Sequence, residues 1–342
     1  MQCRNGGDAM DEFDLSREVD ELRQALSRQQ AATRKARRKT ADLIEAVYQA
    51  ARDAALTQGA PQFPDAPVKD KRRAGAEVAL VHATDWQLGK ATSDYGMAVC
   101  RDRIIRFAHK VLSMTEIQRA DHPVKECHVM FGGDMVEGLG IFPGQAYEVE
   151  SHLFEQLFAC ANLMDDFVGV LSSGFDTVKV TCEYGNHGRL GRKGEMPGGD
   201  NIDRMAYAIA ADRYTRHDRV SWHTSGDWYQ IVEIGNYRAL LVHGDEIKSF
   251  GGNTPAFGIL RKCNQWAAGV IDDFSDVYMG HFHTPMTLTM ANGCQIYVTG
   301  SPESENVYAK EFMAATGRPS QRLHFVDPDA GQVTAGYLVW LD

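Results

Sequence analysis

Five short polar clusters, each directly behind an apolar run, constrain this chain more than any other feature. Asp85-Trp86-Gln87 follows Val78–Val81, Gly133-Asp134-Met135-Val136-Glu137 follows Cys127–Phe131, and Gly185-Asn186-His187 follows Thr177–Cys182. His243-Gly244-Asp245 then follows Tyr237–Val242, and Gly280-His281-Phe282-His283 follows Asp276–Met279. Short apolar runs bounded in this way read as buried strands. In α/β proteins, catalytic groups gather where such strands end and loops converge. One Gly-Asp pair is usually a turn and one His usually a core residue, but five clusters in succession point to a single site. Further strands are read at Trp228–Ile234 and Gln295–Val298, with helices at Val99–Thr115, Glu148–Val170, Asn201–Tyr214 and Gly258–Val270. The alternation predicts an α/β fold with mixed sheets.

Ahead of this region, Asp14 to Leu56 holds neither Gly nor Pro and reads as one long helix. Leu15, Val19, Leu22 and Leu26 set a coiled-coil-like seam that Leu43, Val47, Ala50 and Ala54 continue, interrupted at Gln29, Thr33 and Thr40. Gly59 to Pro67 cannot extend a helix and reads as a linker. The expected organisation is an N-terminal helical arm and linker over 1–67 and a catalytic domain over 68–342. The arm is expected to mediate self-association or to dock on a partner protein.

Bulk properties narrow the function classes. A net charge of −10 argues against a protein that coats nucleic acid by charge alone. It leaves room for a nuclease, because a metal site needs carboxylates and the metals bring their own positive charge. Seven cysteines without a C-x-x-C pair read as free thiols in a reducing cytoplasm. No apolar run is long enough to span a bilayer, and the polar, acidic N-terminus does not read as a secretory signal. The expectation is a cytoplasmic protein with no membrane partner.

In their order, the five clusters resemble the motifs of the calcineurin-like metallophosphoesterase superfamily: D-x-H, G-D-x-x-D/E, G-N-H, a later H, and G-H-x-H. The resemblance covers roughly residues 77 to 342. It implies a four-layer αββα sandwich with two divalent metals at the sheet edge, manganese favoured over Mg, Fe, Zn or Ni. Carried over by position, Asp85, Gln87, Asp134 and His283 would hold the first metal. Asp134 would bridge to the second, completed by Asn186, His243 and His281. His187 would be the acid or phosphate-stabilising residue, with Glu137 and Asp245 supporting the ligands from behind. A bridging ligand needs two oxygens, which suits the carboxylate of Asp134. As i and i+2 partners of extended chain, Asp85 with Gln87, and His281 with His283, would face one pocket. Gln87 departs from the family pattern, which has His there; an amide oxygen is a poorer ligand than imidazole for the later transition metals.

The second motif lacks the Arg of the G-D-x-V-D-R-G form found in serine/threonine protein phosphatases of the superfamily. Its continuation, Gly133 to Glu150, resembles the exonuclease branch: the small subunit of archaeal family-D DNA polymerases and the related SbcD-type repair nucleases. That small subunit carries an aromatic-Pro-Gly-Gln segment shortly after the second motif, here Phe142-Pro143-Gly144-Gln145. The resemblance implies a DNA exonuclease or end-processing nuclease working through a metal-activated hydroxide. The loop from Gly188 to Asp200 offers Arg189, Arg192 and Lys193 as phosphate contacts, Arg189 foremost. Two rival readings are a phosphodiesterase of cyclic nucleotides or nucleotide diphosphates, and an inactive scaffold subunit of a DNA-processing complex.

Overall fold

The structure, a computed structural model, describes residues 27–31, 75–142, 144–190, 193, 198–214, 217–248, 255–303 and 318–342. The chain separates into two units, Met1–Lys69 and Asp70–Asp342. Within the first, residues 27–31 are helical and exposed. The rest of the expected helix and its linker lies outside the described residues.

In the second unit, eleven strands among the described residues form two sheets. The first sheet uses β1 (Glu77–Ala83), β2 (Val124–Gly132), β3 (Thr177–Glu183) and β4 (Val220–Thr224), all parallel. The second uses β5 (Tyr229–Ile234), β6 (Tyr237–Val242), β7 (Asp276–Met279), β8 (Met286–Thr289) and β9 (Gln295–Val298). The chain then returns to the first sheet through β10 (Ser320–Asp327), antiparallel to β1, and β11 (Gln332–Trp340). The strand orders are β11-β10-β1-β2-β3-β4 and β5-β6-β7-β9-β8. Four helices accompany them: α1 (Met97–Gln118), α2 (Leu153–Ser172), α3 (Ile202–Arg213) and α4 (Ala256–Gln265).

Three apolar layers fix the architecture. Ala79, Val81 and Ala83 of β1 pack with Val129 and Phe131 against Phe107, Phe167 and Tyr207 of the first three helices. The alternate residues Val78 and Leu80 face the other way, onto Ile234, Tyr237 and Leu241 of the second sheet. The far side of that sheet, through Leu240, Val242 and Val277, covers Ile259 and Cys263 of α4. The result is an αββα sandwich, as the resemblance implies. Because both faces of β1 are covered, all seven of its residues are buried and its middle, Val78–Val81, reads as a continuous apolar run. Each large side chain so buried contributes about 1.5–3 kcal/mol. The inter-sheet layer also seals a polar chain. Tyr237 Oη donates to Asp276 Oδ2 (2.9 Å) and meets Tyr278 Oη (3.0 Å), which bonds His324 Nδ1 (2.7 Å).

The sequence reading missed β4, β8, β10 and β11 and misplaced two helix ends. The expected helix from Glu148 begins at Leu153, because His152 is extended and Glu155 bonds back to its N–H at 3.0 Å. The helix expected to reach Val270 ends at Gln265, giving way to a wider turn in which Gly269 takes φ 104°. Among the described residues, no helix is long and apolar enough to cross a membrane.

Candidate metal centre

β1, β2, β3, β6 and β7 all deliver their polar clusters at their carboxyl ends, and the clusters meet. The backbone there is unusual. Among the described residues, the non-glycine residues with positive φ are Asp85 (53°), Gln87 (43°), Asp134 (53°), His281 (65°) and His283 (55°). All five are among the residues expected from the sequence to hold a metal. A left-handed non-glycine residue costs about 1–3 kcal/mol and persists only where its surroundings impose it, typically at a functional site.

This corrects the expectation that Asp85-x-Gln87 and His281-x-His283 are extended. β1 stops at Ala83 and β7 at Met279. The loop after β1 instead rides on the loop after β2, with Asp85 N donating to Gly133 O (3.0 Å) and Gln87 N to Asp134 O (2.9 Å). After β7, Phe282 N donates to Gly280 O (2.7 Å) and Thr284 N to Phe282 O (2.6 Å), two successive three-residue turns centred on His281 and His283. With positive φ at the centre, this is the rarer, strained γ-turn. The motif glycines make room for the carboxylates. A Cβ on Gly185 would lie 2.0 Å from Asp134 Oδ1, and one on Gly280 would lie 2.2 Å from Asp85 Oδ2.

Asp134, His243 and His281 bring donor atoms within 4.8 Å of one another. Asp134 Oδ2 lies 3.0 Å from His243 Nε2, and Asn186 Oδ1 lies 3.3 Å from the same nitrogen. The other nitrogen of His243, Nδ1, donates to Gly132 O at 2.8 Å, which turns Nε2 into the cluster. Burial opposes charge on both Asp134 and His243, but their mutual attraction prevails. His243 is held well above its ordinary range and Asp134, drawn also by His187, well below its own. The two side chains thus share a proton, and a cation binds between them by displacing it. Burial, reinforced by the His243 charge, lowers His281 to about 4, leaving its ring neutral as a ligand must be. One carboxylate, two imidazoles and an amide oxygen fit a divalent cation.

The Asp85 side is wired differently. Asp85 accepts from His281 N (3.0 Å to each oxygen) and from Thr84 Oγ1 (3.0 Å), while its Oδ1 lies 3.5 Å from His283 Nε2. Gln87 Oε1 accepts from Lys90 Nζ at 3.4 Å; its Nε2 faces His283 Nε2 (3.2 Å) and His187 Nε2 (3.5 Å). An ammonium has donors only, so Lys90 claims the amide oxygen. Burial disfavours charge on His283, yet hydrogen bonds to Asp85 and Glu303 raise it to about 10. A proton on its Nε2 would call for the same amide oxygen; a neutral Nε2, the form that binds metal, leaves that oxygen to Lys90. The donors that remain for a second cation are Asp85, the shared Asp134 and His283.

His187 sits at the edge of the cluster. Its Nδ1 donates to Glu137 O (2.8 Å) and lies 3.3 Å from Glu137 Oε2, so Nε2 faces inward, 4.0 Å from Asp134 Oδ2. Burial opposes its charge, but Asp134 and Glu137 raise it to about 9. The expected phosphate-binding loop is placed in part. Arg189 Nη1 and Lys193 Nζ both turn to Asp245 Oδ2, at 3.9 and 3.0 Å, while Arg192 lies outside the described residues. Asp245 therefore anchors this loop, and His243 and Lys193 together hold its carboxyl below the usual range against the effect of burial.

Four buried residues around the cluster escaped the sequence reading. Asp203 accepts backbone N–H groups from the loops after β2 and β3. Glu303 Oε1 pairs with Lys90 Nζ at 2.8 Å and its Oε2 lies 3.4 Å from His283 Nδ1. Gln145 Nε2 donates to Glu137 O and Oε1 (2.7 and 2.9 Å), which makes the Gln of the aromatic-Pro-Gly-Gln segment a brace for the residue that orients His187. No spacing signal marks Asp203, Lys90 or Glu303; only the quoted segment pointed near Gln145.

No protein-family model matches this sequence. No curated protein matches it either. Solved structures that resemble it include a predicted phosphoesterase from Streptococcus pneumoniae TIGR4, at 10% identity over 78% of this chain and 99% of that one, TM-score 0.34. Vps29 from Entamoeba histolytica, complexed with zinc, is 12% identical over 77% of this chain and 99% of its own, TM-score 0.35. A metallophosphoesterase from Sphaerobacter thermophilus is 14% identical over 77% of this chain and 89% of its own, TM-score 0.27.

Proposed function

We propose that this chain is a metal-dependent phosphoesterase that hydrolyses phosphodiester bonds of DNA at strand ends. The observation that carries the phosphoesterase reading is the convergence of five strained, left-handed residues around the Asp134–His243–His281 donor group. Divalent cations bound there would supply Lewis-acid stabilisation of the phosphoryl oxygens and an activated water.

The chain's own residues do the rest. Asp134, Asn186, His243 and His281 would hold one cation, and Asp85 and His283, with the shared Asp134, a second. His187 carries a proton on Nε2, its ring fixed by Nδ1–H to the Glu137 carbonyl, and passes that proton to the leaving oxygen as the ester bond breaks. Phe142, 39% exposed with its ring 6.4 Å from that of His187, offers a face on which a terminal base can stack beside the acid. This exposed aromatic is what supports DNA as the substrate.

A second reading, a phosphodiesterase of small nucleotides, is favoured by the net charge of −10 and by the pairing of Arg189 and Lys193 on Asp245. One assay separates them: purified protein with Mn²⁺ on end-labelled single- and double-stranded DNA, beside cyclic nucleotides and a chromogenic diester. Shortening of DNA from its ends is the expected result. Turnover of the small diesters alone would overturn the DNA reading, and metal binding without any hydrolysis would make the chain a scaffold. The seam from Leu15 to Ala54 is proposed as an association surface; deleting residues 1–67 should lower the number of copies per particle seen by light scattering, and monomers before and after deletion would overturn self-association.

A further inference from the structure

Asp203 lies in the first turn of α3, fully buried, with no motif around it. Its carboxylate accepts four backbone N–H groups from two different loops. Oδ2 takes those of Asp134 (2.9 Å) and Gly185 (3.0 Å); Oδ1 takes those of Met135 (3.1 Å) and Val136 (3.2 Å). A carboxylate has about four acceptor directions, so this one is fully occupied by main chain. Beside it, the helix-capping Asn201 accepts from Asp203 N and donates from Nδ2 to Gly185 O, both at 2.8 Å. Together, the two side chains fasten the loop bearing Asp134 to the loop bearing Asn186 and His187.

We propose that Asp203 is a positioning residue for the metal centre, holding Asp134 in its left-handed conformation so that its side chain reaches both loops. Three consecutive N–H groups can converge on one carboxylate only if the chain curls around it, and Asp134 at φ 53° is where it curls. The same curl lets Asp134 Oδ1 accept from His187 N (2.6 Å) while Oδ2 meets His243. Without an anionic acceptor, the strained turn has nothing to offset its cost, and the extended form would carry the carboxylate away. Asp203 touches no reacting atom.

This rests on the reading of the cluster as a metal centre. The test is Asp203→Asn in the full chain, which keeps the shape but turns an NH₂ toward donors. By analogy with outer ligand supports elsewhere, the dissociation constant for Mn²⁺ should rise about 10- to 100-fold. The visible spectrum of the Co²⁺ form should change, and amide exchange should quicken at residues 134–136 and 185. Asp276→Asn is the control, a buried carboxylate of the second sheet bonded to Tyr237 and Gln295; it should leave metal affinity and the Co²⁺ spectrum as they are. Wild-type affinity and spectrum in Asp203→Asn, or an equal loss in Asp276→Asn, would overturn the role of Asp203. Should Asp203→Asn not fold, Asn201→Ala must show a smaller weakening of the same kind, and its absence overturns the role equally. If the wild-type chain itself bound no divalent cation, the metal-centre reading would fall first, an outcome distinct from equal affinities.

Discussion

The two sides of the cluster are built with one device and wired to different neighbours. On the Asp134–His243–His281 side, a left-handed carboxylate faces a ring whose other nitrogen is tied to a backbone carbonyl. A cation there displaces the proton that His243 Nε2 holds against Asp134 Oδ2, while Nδ1 keeps its carbonyl. On the Asp85–Gln87–His283 side, the amide oxygen is engaged by Lys90 and the ring's Nδ1 faces Glu303, which Lys90 also pairs. There, a cation competes with an internal ion pair sealed from water. Backbone strain alone therefore does not equalise two metal positions; the residues behind the donors decide how freely each donor can be given.

The largest expected effect removes what the two sides share. Asp134→Ala should abolish hydrolysis and bring bound metal toward zero, read by elemental analysis beside turnover. Full metal and full activity in that variant would dissolve both sides of the comparison at once. Next comes the group that uses the cluster without ligating it. His187→Ala should keep the metal and lose about 10²–10⁴-fold in rate. The acid works while protonated, and in the metal-free protein its pKa is raised from 6.5 to about 9, so the wild-type rate should fall on the alkaline side. Bound cations offset the charge of Asp134 and move this limb toward 6.5. The limb should vanish in His187→Ala.

A smaller effect separates the two sides directly. In the wild-type protein, the metal on the Asp85 side should leave first on dialysis. Gln87→His replaces the amide oxygen that Lys90 engages with an imidazole nitrogen, a better ligand for the later transition metals. It should tighten that position on the order of tenfold, or about 1.4 kcal/mol, and favour Zn²⁺ over Mn²⁺. Calorimetric titration of both metals into both apo proteins reads this; identical affinities and stoichiometries would remove residue 87 from the metal's neighbourhood.

The smallest effect lies away from the cluster. Glu126 meets His128 Nε2 (2.6 Å) and Lys179 Nζ (2.8 Å), and these bonds, His128 foremost, lower its pKa from 4.5 to about 2 against burial. A depressed carboxylate stabilises fully above the unfolded value and less as pH falls from about 4.5 through 2. Because the pair is half in water, Glu126→Gln should cost no more than about 1 kcal/mol at pH 7, read as a urea midpoint. That difference should fade toward pH 2, with metal affinity unchanged.

The amino-acid sequence determined which elements form around the site and which residues line it. Tyr237–Val242, Asp276–Met279 and Gln295–Val298 were legible to the residue, because each is a short, mostly apolar run bounded by Gly or polar groups. β10 was not, since Gln321, Arg322 and His324 are buried in it. Their partners, such as Thr84 N at 2.8 Å from Gln321 Oε1, lie far away in the chain. β11 hid behind half-buried alternation broken by Gly336. Only the tertiary structure decided how the ligands are delivered. A residue's letter does not announce a positive φ unless it is glycine, and Asp85, Asp134 and His281 take theirs from hydrogen bonds to other loops. Asp203, Lys90 and Glu303 became part of the site the same way. Local pattern reports what is apolar and where it ends; strain, orientation and protonation are set by groups that meet only when the sheets close.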